Sequence, residues 1–74
     1  MFIEMTGQTL AEIVRDDEFS HDELRKCGIG ATSIVRINRQ GDIEVRRPQG
    51  WDVIGGLLGN YEQRIQDRTG MQWA

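Results

Sequence analysis

This 74-residue chain predicts a small α+β fold, a short antiparallel β-hairpin sheet with short helices and a C-terminal amphipathic helix against it. Three observations carry that expectation. Apolar and polar residues alternate from Val35 to Arg46 around a glycine turn. A segment with helix-capping residues at both ends, Ser20 to Gly28, precedes this alternation. A longer apolar stripe, Val53 to Ile65, follows it. A chain of this size buries only about 60% of the surface it exposes when unfolded, so a single domain over residues 1–74 is expected to be short of core. One cysteine excludes an internal disulfide framework. Homodimerisation is the expected compensation.

The N-terminal part, residues 1–18, begins with a weak alternation in which Ile3 and Met5 share a side. That is the pattern of a strand able to add to the hairpin, and Gly7 breaks it. Thr9 and Glu12 then form a capping-box pattern, and Leu10, Ile13 and Val14 recur at helical spacing. A helix over Leu10–Asp16 follows. Ile13 and Val14 are β-branched and also suit a strand over Ala11–Arg15, so both states stay open. Asp16, Asp17 and Glu18 form a polar connection.

The central part, residues 19–47, is the most strongly specified. Ser20 and Glu23 make a second capping box, and Phe19 stands where a hydrophobic staple would pack on Leu24. Asp22 and Glu23 lie in the first turn and Arg25 and Lys26 in the last, as the helix dipole favours. Gly28 suits a left-handed cap, with Ile29 folding back on Leu24. The expected helix is His21–Cys27. In the hairpin a loop of Arg39, Gln40 and Gly41, with Gly41 left-handed, sets Asn38 opposite Asp42, Ile37 opposite Ile43, Arg36 opposite Glu44 and Val35 opposite Val45. Apolar pairs then share one face and an opposite-charge pair the other. A one-residue slip would mix the faces.

Pro48, Gln49 and Gly50 end the hairpin, and the C-terminal helix is expected within residues 51–70, with Asp52 as its cap. Val53, Ile54, Leu57, Leu58, Tyr61 and Ile65 would form its apolar stripe. Gly55, Gly56 and Gly59 each cost about 1 kcal/mol in a helix relative to alanine, so close approach to another element must offset them. A break at Gly59, with Asn60 capping a second helix, is the alternative. Gly70 ends the helix and leaves Met71 and Trp73 in a tail.

The stretch Glu23–Arg47 resembles the second half of the AbrB/MazE-type swapped-hairpin domain. Glu23, Leu24, Arg25, Gly28 and Ile29 match its short helix and exit, and Ser33–Asn38 and Asp42–Arg47 match its strand pair. The family's first strand carries a Gly-Arg-(hydrophobic)-Ile-Pro segment. Here Phe19-Ser20 stands at that place, behind an acidic segment. The resemblance implies a small cytoplasmic homodimer in transcription regulation, binding DNA through Arg25, Lys26, Arg36, Arg39, Arg46 and Arg47. It equally implies an antitoxin-like protein whose C-terminal helix is taken up by a protein partner.

The charge distribution bears on this expectation. Residues 1–23 carry a net −6, residues 24–47 a net +4 and the remainder −1. A basic middle can meet phosphate, or its arginines can pair with the acidic segment on a solvated face. The acidic first third and a pI near 5.0 favour a second function class, a protein-interaction or adaptor module that binds no nucleic acid. In either case Trp51, Val53, Ile54, Gly55, Leu57, Leu58, Gly59 and Tyr61 are the expected interface residues. Trp51 and Trp73 suit a core or an interface.

Nothing points to catalysis, a cofactor or a metal. His21 is the only histidine and has no partner at ligand spacing. Cys27 lacks a neighbouring base. The acids at 16–18 and 22–23 lack the ligand alternation and central glycine of a calcium loop. Gly28 to Ser33 leaves a helix and enters a strand, the reverse of a dinucleotide-binding glycine loop. No apolar run is long enough to span a bilayer, and no positively charged leader precedes one, so a soluble intracellular protein is expected.

Overall fold

The computed structural model describes residues 1–15 and 17–73. Strands β1 (Phe2–Thr6), β2 (Ile34–Asn38), β3 (Asp42–Arg47) and β4 (Gly50–Gly56) form an antiparallel sheet in the order β1-β2-β3-β4. Helices α1 (Gly7–Ile13) and α2 (His21–Lys26) connect β1 to β2, and α3 (Tyr61–Thr69) follows β4. The fold is α+β, with a C-terminal helix.

One face of the sheet holds the core. Ile3, Met5, Val35, Ile37, Ile43 and Val45 point inward from β1, β2 and β3. They join Leu10 and Ile13 of α1, Phe19, Leu24 of α2, Ile29, Leu57, Ile65 of α3 and Trp73 in one buried cluster. The strand alternation expected from the sequence is therefore the alternation that buries one side of β1, β2 and β3. Trp73 belongs to this core: its Nε1 donates to the Ile37 carbonyl at 3.1 Å, and its ring meets Tyr61 edge-on with centroids 5.9 Å apart.

The central stretch folds as its residues dictate. Ser20 accepts from the Glu23 amide, and the Glu23 side chain accepts from the Ser20 amide. At the other end, the Ile29 amide reaches the Leu24 carbonyl and the Gly28 amide the Arg25 carbonyl, the two bonds of a Schellman ending. The hairpin register pairs Val35 with Val45, Arg36 with Glu44 and Ile37 with Ile43. Gly41 has φ 89° in the loop, and the Asp42 amide donates to Asn38 Oδ1 at 2.9 Å. The N-terminal strand does add to the hairpin, through Glu4 opposite Arg36 and Ile3 opposite Ile37.

Three expectations are corrected. First, α1 spans Gly7–Ile13 rather than Leu10–Asp16. Its cap is Thr6, which accepts from the Thr9 amide, so Thr9 is a helical residue and not a cap. The helix stops at Ile13 because Val14 is extended, with ψ 150°, and Asp16 lies outside the described residues. Second, residues 50–56 are strand β4 and not the start of a C-terminal helix. The β-branched, aromatic and glycine content of this segment disfavours a helix, while β3 offers it a complete ladder. The helix begins only after Gly59, with Asn60 at its cap position, which is the alternative break. Third, Gly59 makes a turn and not a close contact: its φ is +67°, and a Cβ added to it would meet no atom within 4 Å. Gly55 is closely packed, but against the Phe19 ring of the same chain: a Cβ there would stand 2.6 Å from Phe19 Cε2.

A part-buried ion pair ties the connections together. Arg64 of α3 donates to both carboxylate oxygens of Glu18 at 2.7 Å, and also to the carbonyls of Ile13 and Leu58 at 2.7 Å. Glu18 accepts in addition from the Arg15 amide at 3.0 Å and the Leu58 amide at 2.5 Å. One guanidinium thus joins the end of α1, the α1–α2 connection and the β4–α3 turn.

Candidate interaction surface

The sheet face opposite the core carries no helix. Alternation brings out Phe2 and Glu4 of β1, Ile34 and Arg36 of β2, Glu44 and Arg46 of β3, and Trp51 and Val53 of β4. Its centre is a layered stack. The Arg36 guanidinium lies 3.8 Å from the Phe2 ring centroid and 4.1 Å from the Trp51 ring centroid. Arg36 also donates to Glu44 Oε1, from Nη2 at 2.9 Å and from Nε at 3.3 Å. A planar guanidinium can meet an aromatic ring on each side and a carboxylate at its edge. The Glu44 side chain keeps only 12% of its exposure.

Around that stack, exposed apolar side chains alternate with polar and charged ones. Val53 is 63% exposed, Phe2 41% and Ile34 38%. The charges of Glu4 and Arg46, on the same face, make no ion pair with any described residue. Asp42 is occupied by Asn38, whose Nδ2 donates to it at 3.0 Å.

The basic residues singled out from the sequence do not share a surface. Arg36 and Arg46 lie on the outer face. Arg47 follows Arg46 directly and so points to the opposite face, where it donates to the Cys27 carbonyl at 2.6 Å and stands 3.5 Å from Asp52. Arg25 and Lys26 are exposed on α2, and Arg25 pairs with Asp22. Arg39 is in the β2–β3 turn, where its carbonyl accepts from the Tyr61 hydroxyl at 2.8 Å. The hairpin separates Arg39 from Arg46 by most of its length, about 17 Å at 3.4 Å per residue.

The interface residues expected from the C-terminal stripe are also dispersed. Trp51 and Val53 lie on the outer face. Ile54 is the extra residue of a β-bulge, half-buried against the core. Gly55 faces Phe19, and Leu57 is buried. Leu58 is exposed, Gly59 turns the chain, and Tyr61 is half-buried beside Trp73. Phe2, Glu4 and Ile34 are members of this face that sequence reasoning missed. The signal is present in the alternation of residues 1–5, but only the pairing of β1 with β2 makes it a surface.

A shallow cleft between α1 and α2, lined by Ala11, Leu24 and Ile29 with His21 and Arg25 at its rim, assembles no chemical group set. His21 Nε2 donates to the Ala11 carbonyl at 3.1 Å and so joins the two helices. Among the described residues no helix is long and apolar enough to cross a membrane. Compared with known proteins, the chain matches no family model, no curated protein and no solved structure.

Proposed function

We propose that this chain is a non-enzymatic protein-interaction module whose contact surface is the outer face of its sheet, and that it does not act on nucleic acid. The observation that carries this is the composition of that face. Exposed Phe2, Ile34 and Val53 surround a stack in which the one central cation, Arg36, is already matched by Glu44. Affinity for DNA comes mainly from cations that converge on phosphates, whereas here Arg25, Lys26, Arg39 and Arg47 lie away from Arg36 and Arg46. Contact surfaces for proteins are instead enriched in aromatic residues and arginine, as at the Phe2–Arg36–Trp51 stack.

A second reading, a regulator that resembles AbrB/MazE proteins, draws support from the order of its elements: a capped α2, the Gly28 ending and the β2–β3 hairpin follow one another as in that family. Titration of a labelled DNA duplex from low to physiological salt separates the two. The interaction-module reading expects no saturable binding even at low salt. Saturable binding that falls steeply with salt would overturn it in favour of the regulator.

A further inference from the structure

We propose that the occupant of the outer sheet face is a second copy of this chain, seated face to face about a two-fold axis so that Glu4 of each copy meets Arg46 of the other. The proposal rests on the interaction-module reading above and adds the identity of the partner.

Charge complementarity within the face is its basis. A two-fold interface is self-complementary, so a residue that contacts a different residue across it does so twice. Glu4 on β1 and Arg46 on β3 are an acid and a base on one face, and neither forms an ion pair with a described residue. The register sets Glu4 opposite Arg36 and Arg36 opposite Glu44, so Arg46 lies two strands across and two residues along from Glu4. At about 4.8 Å between strands and about 3.4 Å per residue, the two positions stand roughly 12 Å apart on the sheet. A two-fold axis in the plane of the interface, perpendicular to the line joining them at its midpoint, passes over β2 between Ile34 and Arg36. That one axis does three things. It forms both Glu4–Arg46 pairs, it sets Ile34 and the Glu44-paired Arg36 each near its own copy, and it carries the backbone position of Trp51 to within a few ångströms of that of Phe2 in the other copy. Trp51 of each copy therefore covers Phe2 of the other, while Val53 comes to lie over Asn38.

One competing route to self-association, strand addition at the edge of β4, is obstructed. Asp52 is opposite Val45 and so points to the helix side of an edge strand, and Ile54 makes a bulge immediately beyond Val53. Inward charges and bulges on an edge strand both deter pairing with another strand. Area is sufficient for a weak dimer only. Four strands of about six residues offer a footprint of roughly 400 Å² per copy. Two such footprints fall near the lower bound of about 1,000 Å² for a specific interface once side-chain relief is included. A dissociation constant in the micromolar range or weaker follows.

Sedimentation equilibrium of the full chain and of charge-swapped variants tests this. The wild type should show a reversible monomer–dimer equilibrium. Glu4→Arg and Arg46→Glu should each weaken it about tenfold or more, because like charges then oppose one another at both pairs. Mixing the two variants should restore association, since both pairs in the mixed dimer are again opposite in sign, and the double variant should restore it in one chain. Val53→Lys, at an exposed site, serves as a second probe and should weaken association without unfolding the domain, as circular dichroism would verify. A wild type that stays monomeric at millimolar concentration overturns the proposal, and so does a dimer indifferent to the swaps. A monomer that also ignores the DNA duplex would leave the interaction-module reading standing with a different partner. Duplex binding would remove that reading itself.

Discussion

Glu18 is the residue whose environment departs most from that of an ordinary surface acid. Its side chain keeps 2% of its exposure, and that burial alone would raise its pKa. The bonds from Arg64, together with the amides of Leu58 and Arg15, outweigh burial and hold the pKa at about 2, against 4.5 for an unperturbed glutamate. The unfolded chain therefore binds more protons than the folded one between these values. The stability contributed by Glu18 is complete above about pH 4.5 and is lost as pH falls through about 2. Glu18→Gln should lower stability by about 1–3 kcal/mol at pH 7, because it takes the charged partner from a part-buried guanidinium that is then left with the Ile13 and Leu58 carbonyls, and should flatten the acid limb of a stability–pH curve. An unaltered acid limb would show that another group governs it. Gly41 is the second such residue. It has φ +89°, and a Cβ would stand 3.1 Å from the Tyr61 ring and 3.2 Å from the Leu57 carbonyl oxygen. Gly41→Val should cost about 1–3 kcal/mol through backbone strain. An unchanged urea midpoint would contradict the left-handed turn. The position of Gly41 was legible from the loop alone. The partner of Glu18 was not, because the pair spans 46 residues and each member sits in an ordinary polar stretch.

At the level of elements, what was legible depended on the range of the interaction that decides each one. The α2 caps and the β2–β3 register rest on residues a few positions apart, and they form as the sequence predicts. Residues 50–56 are decided at longer range. Val53, Ile54, Leu57 and Leu58 satisfy helical spacing, but the segment becomes β4 because β3 supplies its hydrogen bonds and the Phe19 ring fills the space beside Gly55. The cost of three glycines in a helix was the available signal against the helix; glycine is disfavoured in strands too, so it did not by itself identify β4. The helix propensity of the segment is low, and a glycine at position 55 admits an aromatic ring that a larger side chain would exclude. Gly55→Leu should therefore destabilise the domain by about 1–3 kcal/mol through overpacking. The loss should be the same in dilute and concentrated protein, since the clash is with Phe19 of the same chain. A loss that grows with dilution would move Gly55 to an interface.

For the molecule as a whole, three helices and the C-terminal Trp73 cover one side of a four-stranded sheet, and no described residue covers the other. The fold class was legible because alternation and capping are local. The candidate surface was legible only in part. Arg36, Arg46, Trp51 and Val53 stand out one by one, but as members of two different groups, the basic cluster and the C-terminal stripe. Pairing of β1 and β4 on either side of the hairpin unites them with Phe2, Glu4 and Ile34 on one face. It also sends Arg47 and Gly55 to the other face. That sorting is a property of the assembled sheet, and no single segment contains it. A dilution series followed by the backbone amide resonances of the full chain tests whether the outer face is the contact surface. Concentration-dependent shifts should be confined to that face, at Phe2, Glu4, Ile34, Arg46, Trp51 and Val53, with α1, α2 and α3 unmoved. Shifts centred on the helices, or none up to millimolar protein, would contradict it.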